Sequence, residues 1–277
     1  MVVESLVNPF KAERQPWEMF FVGCFYSSIA ILLSLWVFKP HASLVAVFLT
    51  VIACIPIIYG TIKLEEKKDM EIEEEKILIK EHGKALSFFV FLFLGITISF
   101  SLWYIFLPAD LTLTLFSVQA KTISDINTQV TGQGINQMSL FSKIFFNNIK
   151  VLIFCVIFAF IYGFGAIFIL TWNASVIGTA IGNFVRTNLP APAGILSYFE
   201  ITSLGILRYL IHGIPEILAY FIGGLAAGIV SIAIINHDFA SKKFQHVLID
   251  SADLLILAVA VLFVAALMEA FITPVLF

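Results

Sequence analysis

The chain has 277 residues, of which 60% are hydrophobic and 13% are charged, with a net charge of −3 and a mean hydropathy of +1.00. Soluble domains are about 45–50% apolar and about 25% charged, so this composition excludes a water-soluble enzyme and a disulfide-stapled secreted module. The charge balance offers no basic surface for nucleic acid, and apolar runs without alternation exclude a transmembrane β-barrel. We therefore predict an all-α, polytopic transmembrane helical bundle formed by residues 1–277 as a single membrane domain.

The membrane-spanning helices are predicted from runs that contain no Asp, Glu, Lys or Arg. A helix needs roughly 20 apolar residues to cross about 30 Å of hydrocarbon. Five runs reach that length and a sixth is shorter. The five are 19–38, 40–62, 85–109, 151–185 and 217–236, and the shorter run is 254–268.

Lysine and arginine residues predict the orientation, because they accumulate in short cytoplasmic loops. If all the basic groups face the cytoplasm, the chain must cross twice between residues 172 and 236, so the interrupted stretch 194–211 counts as a crossing. We expect six full spans plus one short or broken crossing in the cell membrane, a cytoplasmic N-terminus, and a cytoplasmic turn at Pro190. The basic groups are Lys11 and Arg14, six lysines between residues 63 and 84, and Lys242 and Lys243.

Two segments are expected to lie outside the bilayer. Residues 63–84 contain fourteen of the 35 charged residues, with strong helix formers and i,i+3 pairs, which predict a solvated, helical cytoplasmic extension. Residues 108–148 predict an extracytoplasmic loop that ends in an interfacial helix near residues 138–150. Either segment could also bind unknown partner proteins.

A few charged residues remain within the apolar part, where each one is costly enough to be a functional candidate. If the helix were continuous, Arg208, His212 and Glu216 would follow one stripe at i,i+4 spacing. This intramembrane polar cluster comprises Glu200, Arg208, His212, Glu216 and Glu269.

A helix break is expected at Gly213 and Pro215, because proline removes a backbone donor and glycine tolerates turns. Glu216 would then lie in the first turn of a new helix, where the helix dipole favours a carboxylate. The cluster could form a structural lock, a transporter's substrate or proton site, or two ligands of a metal. No third metal ligand follows in sequence and no nucleophile motif accompanies the cluster, so no catalytic residue, metal or cofactor is assigned.

Small residues predict close helix packing in the second half of the chain. Contacts within one chain are the preferred interpretation, and a homodimer interface is the alternative. The glycines concerned are Gly163, Gly165, Gly178, Gly182, Gly223, Gly224 and Gly228.

The second half of the chain resembles the stage II sporulation protein M family of multipass membrane proteins. The resemblance defines a family-like core over residues 148–277. It is carried by Asn148, Gly163, Gly165, Asn173, Gly178, the His212-Gly-Ile-Pro-Glu216 motif, the Gly223 to Gly228 cluster and the closing Glu269-Ala-Phe. Asn173-Ala174 departs from the Asn-Gly pair that is common in the family.

The resemblance implies a membrane anchor, since the family's namesake in spore-forming bacteria scaffolds peptidoglycan-degrading enzymes. We therefore expect a non-enzymatic integral membrane scaffold with a His/Glu structural lock. The alternatives are a transporter or channel component and, third, an intramembrane metal-dependent hydrolase.

Overall fold

The computed structural model describes residues 13–72, 74–131, 137–190, 194–236 and 241–276. All regular structure in these ranges is helical, so the all-α prediction is confirmed. A 3-10 turn (Lys39–His41) precedes the second helix, and a π-helical turn (Met268–Ile272) follows the ninth. The helices are α1 (Glu18–Val37), α2 (Ala42–Glu71), α3 (Glu75–Phe106), α4 (Ala109–Leu115), α5 (Ser117–Thr131), α6 (Gln137–Tyr162), α7 (Ala166–Asn188), α8 (Ile195–Asn236), α9 (Lys242–Leu267) and α10 (Thr273–Leu276).

Seven of these helices are long and apolar enough to cross a membrane, namely α1, α2, α3, α6, α7, α8 and α9. They alternate in direction, which gives the bundle two ends. We call the end with the α2–α3 connection the ion-cluster face, because charged side chains of α2 and α3 contact one another there. We call the end with α4 and α5 the α5 face. Arg186 donates hydrogen bonds to the carbonyls of Ile105 and Leu107, so the α7–α8 connection lies on the α5 face. The expected turn at Pro190 therefore lies on the same side as residues 108–131, not opposite to them.

Helix α8 forms the centre of the bundle and packs against α2, α3, α6, α7 and α9. It continues through Gly213 and Pro215, so the expected helix break at these residues is wrong. A proline within a helix loses one backbone hydrogen bond, whereas an interruption at membrane depth would leave several backbone groups unpaired. The expected short crossing at 194–211 is therefore the first half of one continuous span.

The break in the chain lies at Gly163 instead, within the run 151–185 that was expected to form one span. Gly163 has a φ of +71°, a left-handed conformation that glycine adopts without steric strain. Its carbonyl oxygen would lie only 2.7 Å from a Cβ at Gly228, so the α6–α7 turn fits closely against α8. The number of crossings is seven as expected, but the boundaries between them differ.

Helix α6 begins at Gln137 and runs without a break to Tyr162. Residues 138–150 therefore form the first half of a spanning helix rather than a separate interfacial helix. The amphipathic helix on the α5 face is α5, which follows the short helix α4.

Glycines allow the spanning helices to approach each other at backbone distance. A Cβ at Gly178 would lie 2.7 Å from the carbonyl oxygen of Thr97, and one at Gly182 would lie 2.6 Å from the Cβ of Tyr104. These contacts join α7 to α3. A Cβ at three further glycines of the predicted set would also clash with a neighbour: at Gly165 with Phe158, at Gly223 with Leu152, and at Gly224 with Ala166.

Candidate functional site

A set of polar side chains joins α8 to the end of the last span. His212 Nδ1 lies 3.2 Å from Thr273 Oγ1, and Tyr220 donates a 2.8 Å hydrogen bond to Glu216 Oε1. Glu269, in the π-helical turn, is close enough to Glu216 for their carboxyl groups to interact electrostatically. We call these five residues the core polar cluster. Because α8 is continuous, His212, Glu216 and Tyr220 lie on one stripe at i,i+4 spacing.

Two residues of the set predicted from sequence lie outside this cluster. Glu200 is exposed near the start of α8, three turns from His212. The guanidinium of Arg208 lies 5.7 Å from the ring centroid of Phe184, as a cation–π contact. The structure thus brings together His212, Glu216 and Glu269, and adds Tyr220 and Thr273, which the sequence interpretation did not select.

The core polar cluster joins α8 to α10 through the contact between His212 and Thr273, and its geometry does not suit a metal ion. Across the described parts of the chain, no three His, Cys, Asp or Glu side chains converge so as to hold a metal ion. A cavity of about 20 Å³ beside Phe221 and Gly224 is lined by apolar residues alone. Its lining includes none of the polar groups, so it provides no polar path to them.

A second polar cluster, which the sequence interpretation missed, lies on the ion-cluster face. Lys68 Nζ lies 2.6 Å from both Glu13 Oε2 and Glu65 Oε1 and 3.3 Å from Glu81 Oε2. His82 contacts Glu65 through Nδ1 at 2.7 Å and lies 3.0 Å from Asp69 through Nε2. We call Glu13, Glu65, Lys68, Asp69, Glu81 and His82 the ion cluster.

The ion cluster links the segment before α1 to the facing ends of α2 and α3, and Asp69 also interacts electrostatically with His246 on α9. Glu65, Asp69 and His82 are each no more than 2% exposed. The extension predicted as solvated therefore has a buried face. Leu64 and Leu78, which are buried within the charged stretch, are the sequence signal that could have indicated it.

The ion cluster predicts a pH response at Glu13. Burial raises the pKa of Glu13 to about 7, although the hydrogen bond from Lys68 acts in the opposite direction. Ionisation of Glu13 therefore opposes the folded state. The stability that comes from the protonated carboxyl group is lost as the pH rises through about 7. We expect Glu13→Gln to match the wild type near pH 4, where the carboxyl group is protonated in both the folded and the unfolded state, but to exceed the unfolding free energy of the wild type above about pH 8, by up to about 3 kcal/mol.

Unfolding midpoints of the two proteins at both pH values test this response. Glu74→Gln, at an exposed position on the same face, serves as the control and should follow the wild type throughout. A constant difference between wild type and Glu13→Gln at the two pH values would contradict it.

On the opposite end, helix α5 is fixed to the bundle through one buried residue, Gln119. Ser43 Oγ donates a 2.6 Å hydrogen bond to Gln119 Oε1, and Gln119 Nε2 donates to the Ser43 carbonyl and to Ser175 Oγ, each at 3.3 Å. Beyond this contact, Lys121 and Asp125 are exposed. A polar helix is thus hydrogen-bonded to two spans, α2 and α7.

Comparison with known proteins yields one match. A family model described as Stage II sporulation protein M matches residues 84–274, which begin within α3 and end in α10. No curated protein and no solved structure matches the chain. The matched part contains the whole core polar cluster and excludes α1, α2 and the whole ion cluster. Since the match covers most of the 277 residues, the chain belongs to the Stage II sporulation protein M family of multipass membrane proteins.

Proposed function

We propose that this integral membrane protein is a scaffold that holds a partner protein at the α5 face. The proposal rests on the Gln119 contact, which fixes a polar helix to two spanning helices and leaves its outer residues accessible. A rigid surface loses little conformational entropy when a partner binds, which favours affinity.

Of the two segments expected to bind partners, the charged extension is the weaker candidate. Lys68, Glu65 and His82 satisfy one another within the ion cluster, so these charges are not free to contact another protein. Helix α5 instead presents exposed polar residues on a fixed support, which favours the segment 108–148 as the docking region.

The closed interior supports a scaffold over a transporter. Backbone-distance contacts at the glycines seal the helix interfaces, and the cavity beside Phe221 is apolar. Solute transport through a bundle needs a polar path or a discontinuous helix, whereas α8 is continuous.

The distribution of basic residues supports a cytoplasmic ion-cluster face as part of this proposal. The α2–α3 connection and the start of α9 contribute the lysines on that face, and such residues favour the cytoplasmic side. The α5 face, with its docking helix, is then extracytoplasmic.

Site-specific photo-crosslinking in intact cells tests the scaffold. A photo-reactive amino acid replaces Lys121 or Asp125 on α5, or Trp36 as a control. Trp36 is 82% exposed on the outer side of α1, a surface that faces lipid. We expect one discrete protein adduct from both α5 positions and none from Trp36.

A second variant shows whether the adduct depends on the rigid surface. Gln119→Ala removes the side-chain hydrogen bonds to Ser43 and Ser175. It should therefore reduce the crosslink at Lys121 at least about tenfold while protein abundance is kept, a change of about 1.4 kcal/mol in binding. An adduct that is equally strong without the Gln119 side chain, or no adduct from either α5 position, would contradict the proposal.

A further inference from the structure

The charged stretch between residues 63 and 84 is acidic in sequence, because it contains eight Asp and Glu residues and six lysines. The fold separates these charges. On α2, Glu65, Glu66 and Asp69 are each no more than 5% exposed, whereas Lys63 and Lys67 are exposed. The acidic side chains of this helix therefore face the interior, and its lysines remain on the outer surface.

Helix α3 shows the same separation of charges. His82 is buried and Glu81 is half-buried, while Lys80 and Lys84 are exposed. Glu81 also lies 3.3 Å from the buried side of α2, at the ammonium group of Lys68. A segment with a net negative charge thus presents lysines on the outer side of both of its helices.

The contact between Glu65 and His82 sets the register of these lysines, because α2 and α3 run in opposite directions. Lys63 lies two residues before Glu65, and Lys84 lies two residues after His82, so the two lysines occupy the same level of the bundle. The next lysine on each helix lies about one turn further out. We call the four residues at these two levels the lysine collar, which comprises Lys63, Lys67, Lys80 and Lys84.

The lysine collar lies directly beyond the hydrocarbon part of the spans. Lys63 and Lys84 are the first charged residues after the apolar runs of α2 and α3. On α2, the exposed side chains of Phe48, Ile52 and Tyr59 lead to Lys63 at helical spacing, so Lys63 continues the lipid-facing side of the helix. Tyrosine is enriched at the membrane–water interface, and lysine extends its ammonium group to the same level.

Exposed acidic residues of this segment lie further from the bilayer. Glu71 ends α2, and Glu74 lies in the α2–α3 connection. Eight helical residues separate Glu71 from Lys63, which is about 12 Å and exceeds the Debye length of about 8 Å at physiological salt. The ion pairs that two collar lysines form with Glu71 and Glu81 are at the surface, where such pairs are weak and can be exchanged for a lipid phosphate.

We propose that the lysine collar binds the headgroups of anionic phospholipids. A lysine ammonium group attracts phosphate as a point charge, and each lysine beside an anionic membrane surface strengthens binding about fivefold. A lipid fits this surface better than an acidic protein does, because the collar lies at the level of the headgroups and continues a lipid-facing helix side. The inference does not depend on the scaffold function.

Spin-labelled lipids test this binding on the purified, full-length protein in phosphatidylcholine liposomes. The motionally restricted fraction of a trace of spin-labelled phosphatidylglycerol is compared with that of spin-labelled phosphatidylcholine. We expect the wild type to favour phosphatidylglycerol at least about fivefold at low salt, and to lose most of this preference in ~1 M NaCl, where the Debye length is about 3 Å. Equal association of the two lipids with the wild-type protein would overturn the proposal, and that result requires no variant to fold.

Two double variants then locate the binding surface. Lys63→Gln/Lys84→Gln should bring the preference for phosphatidylglycerol close to one. Lys242→Gln/Lys243→Gln removes the same charge from the same face and should keep the preference. These control residues lie in the first turn of α9, one turn further from the bilayer than His246, which interacts electrostatically with the last turn of α2. A preference that survives the collar substitutions, or one that the control variant lowers equally, would overturn the proposal.

Discussion

Gly95→Ala should destabilise the bundle by about 3 kcal/mol or more, because overpacking at a close helix crossing forces the backbones apart. A Cβ at Gly95 would collide with the carbonyl of Phe20 on α1, and one at Gly23 would collide with the carbonyl of Leu92 on α3. The collision is with backbone atoms, so no side-chain rotation relieves it. The measurement is the unfolding free energy of the purified protein in detergent.

Separation of α1 from α3 would also break polar contacts along the same interface. Cys24 Sγ donates to the Gly95 carbonyl at 3.2 Å, and Ser28 Oγ lies 3.1 Å from both Ser99 Oγ and Trp103 Nε1. The decrease in unfolding free energy should therefore exceed the decrease that the steric clash alone would cause.

Gly83 provides a matched control on the same helix. It is exposed, and a Cβ at this position would meet no atom within 4 Å. Since alanine has a higher helix propensity than glycine, Gly83→Ala should stabilise the protein by about 1 kcal/mol. Equal effects of the two substitutions would contradict the packing account of the α1–α3 interface.

Lys68→Met is expected to have the other large effect, a loss of about 3–5 kcal/mol. The substitution leaves Glu13, Glu65 and Glu81 without the ammonium group that lies within 3.3 Å of each. Glu65 is fully buried and would keep only His82 as a partner, so the lost pairing of its charge is the main source of the loss. Chemical unfolding near pH 7.5, at which carboxyl groups are normally ionised, measures it.

The neighbouring residue supplies the control for Lys68. Lys67 forms a 3.6 Å ion pair with Glu71 in which both side chains are about two-thirds exposed, so Lys67→Met should be close to neutral. Adding Glu65→Gln to Lys68→Met should restore part of the lost stability, because it removes the buried charge. If Lys67→Met and Lys68→Met behave alike, the ion cluster has no structural role.

The number of spans was predictable from the sequence because the charge-free runs indicate six crossings and the positions of the basic residues require a seventh. The boundaries were not, because Pro215 and Gly163 exchange their expected roles. Pro215 lies inside α8, while the left-handed Gly163 ends α6. The position of the helix interruption depends on how many backbone hydrogen bonds are lost at membrane depth, and that number depends on the surrounding helices.

The candidate site was predictable in its parts and not in its arrangement. His212, Glu216 and Glu269 were selected because charged or polar groups are costly in the membrane. Their partners Tyr220 and Thr273 resemble ordinary membrane residues in sequence, and only tertiary packing joins them. The ion cluster was missed because many charged residues in a short segment indicate exposure to water. The burial of Glu65 and His82 depends instead on the helices that face them.

The most direct test of the account is a proton-flux measurement on the purified protein in liposomes, because it asks whether the seven helices form a closed body. A closed scaffold predicts that a pH gradient decays at the same rate in wild-type, Glu216→Gln and protein-free liposomes. A decay that wild-type protein accelerates at least about tenfold, equivalent to about 1.4 kcal/mol in barrier height, and that Glu216→Gln abolishes, would contradict the closed scaffold.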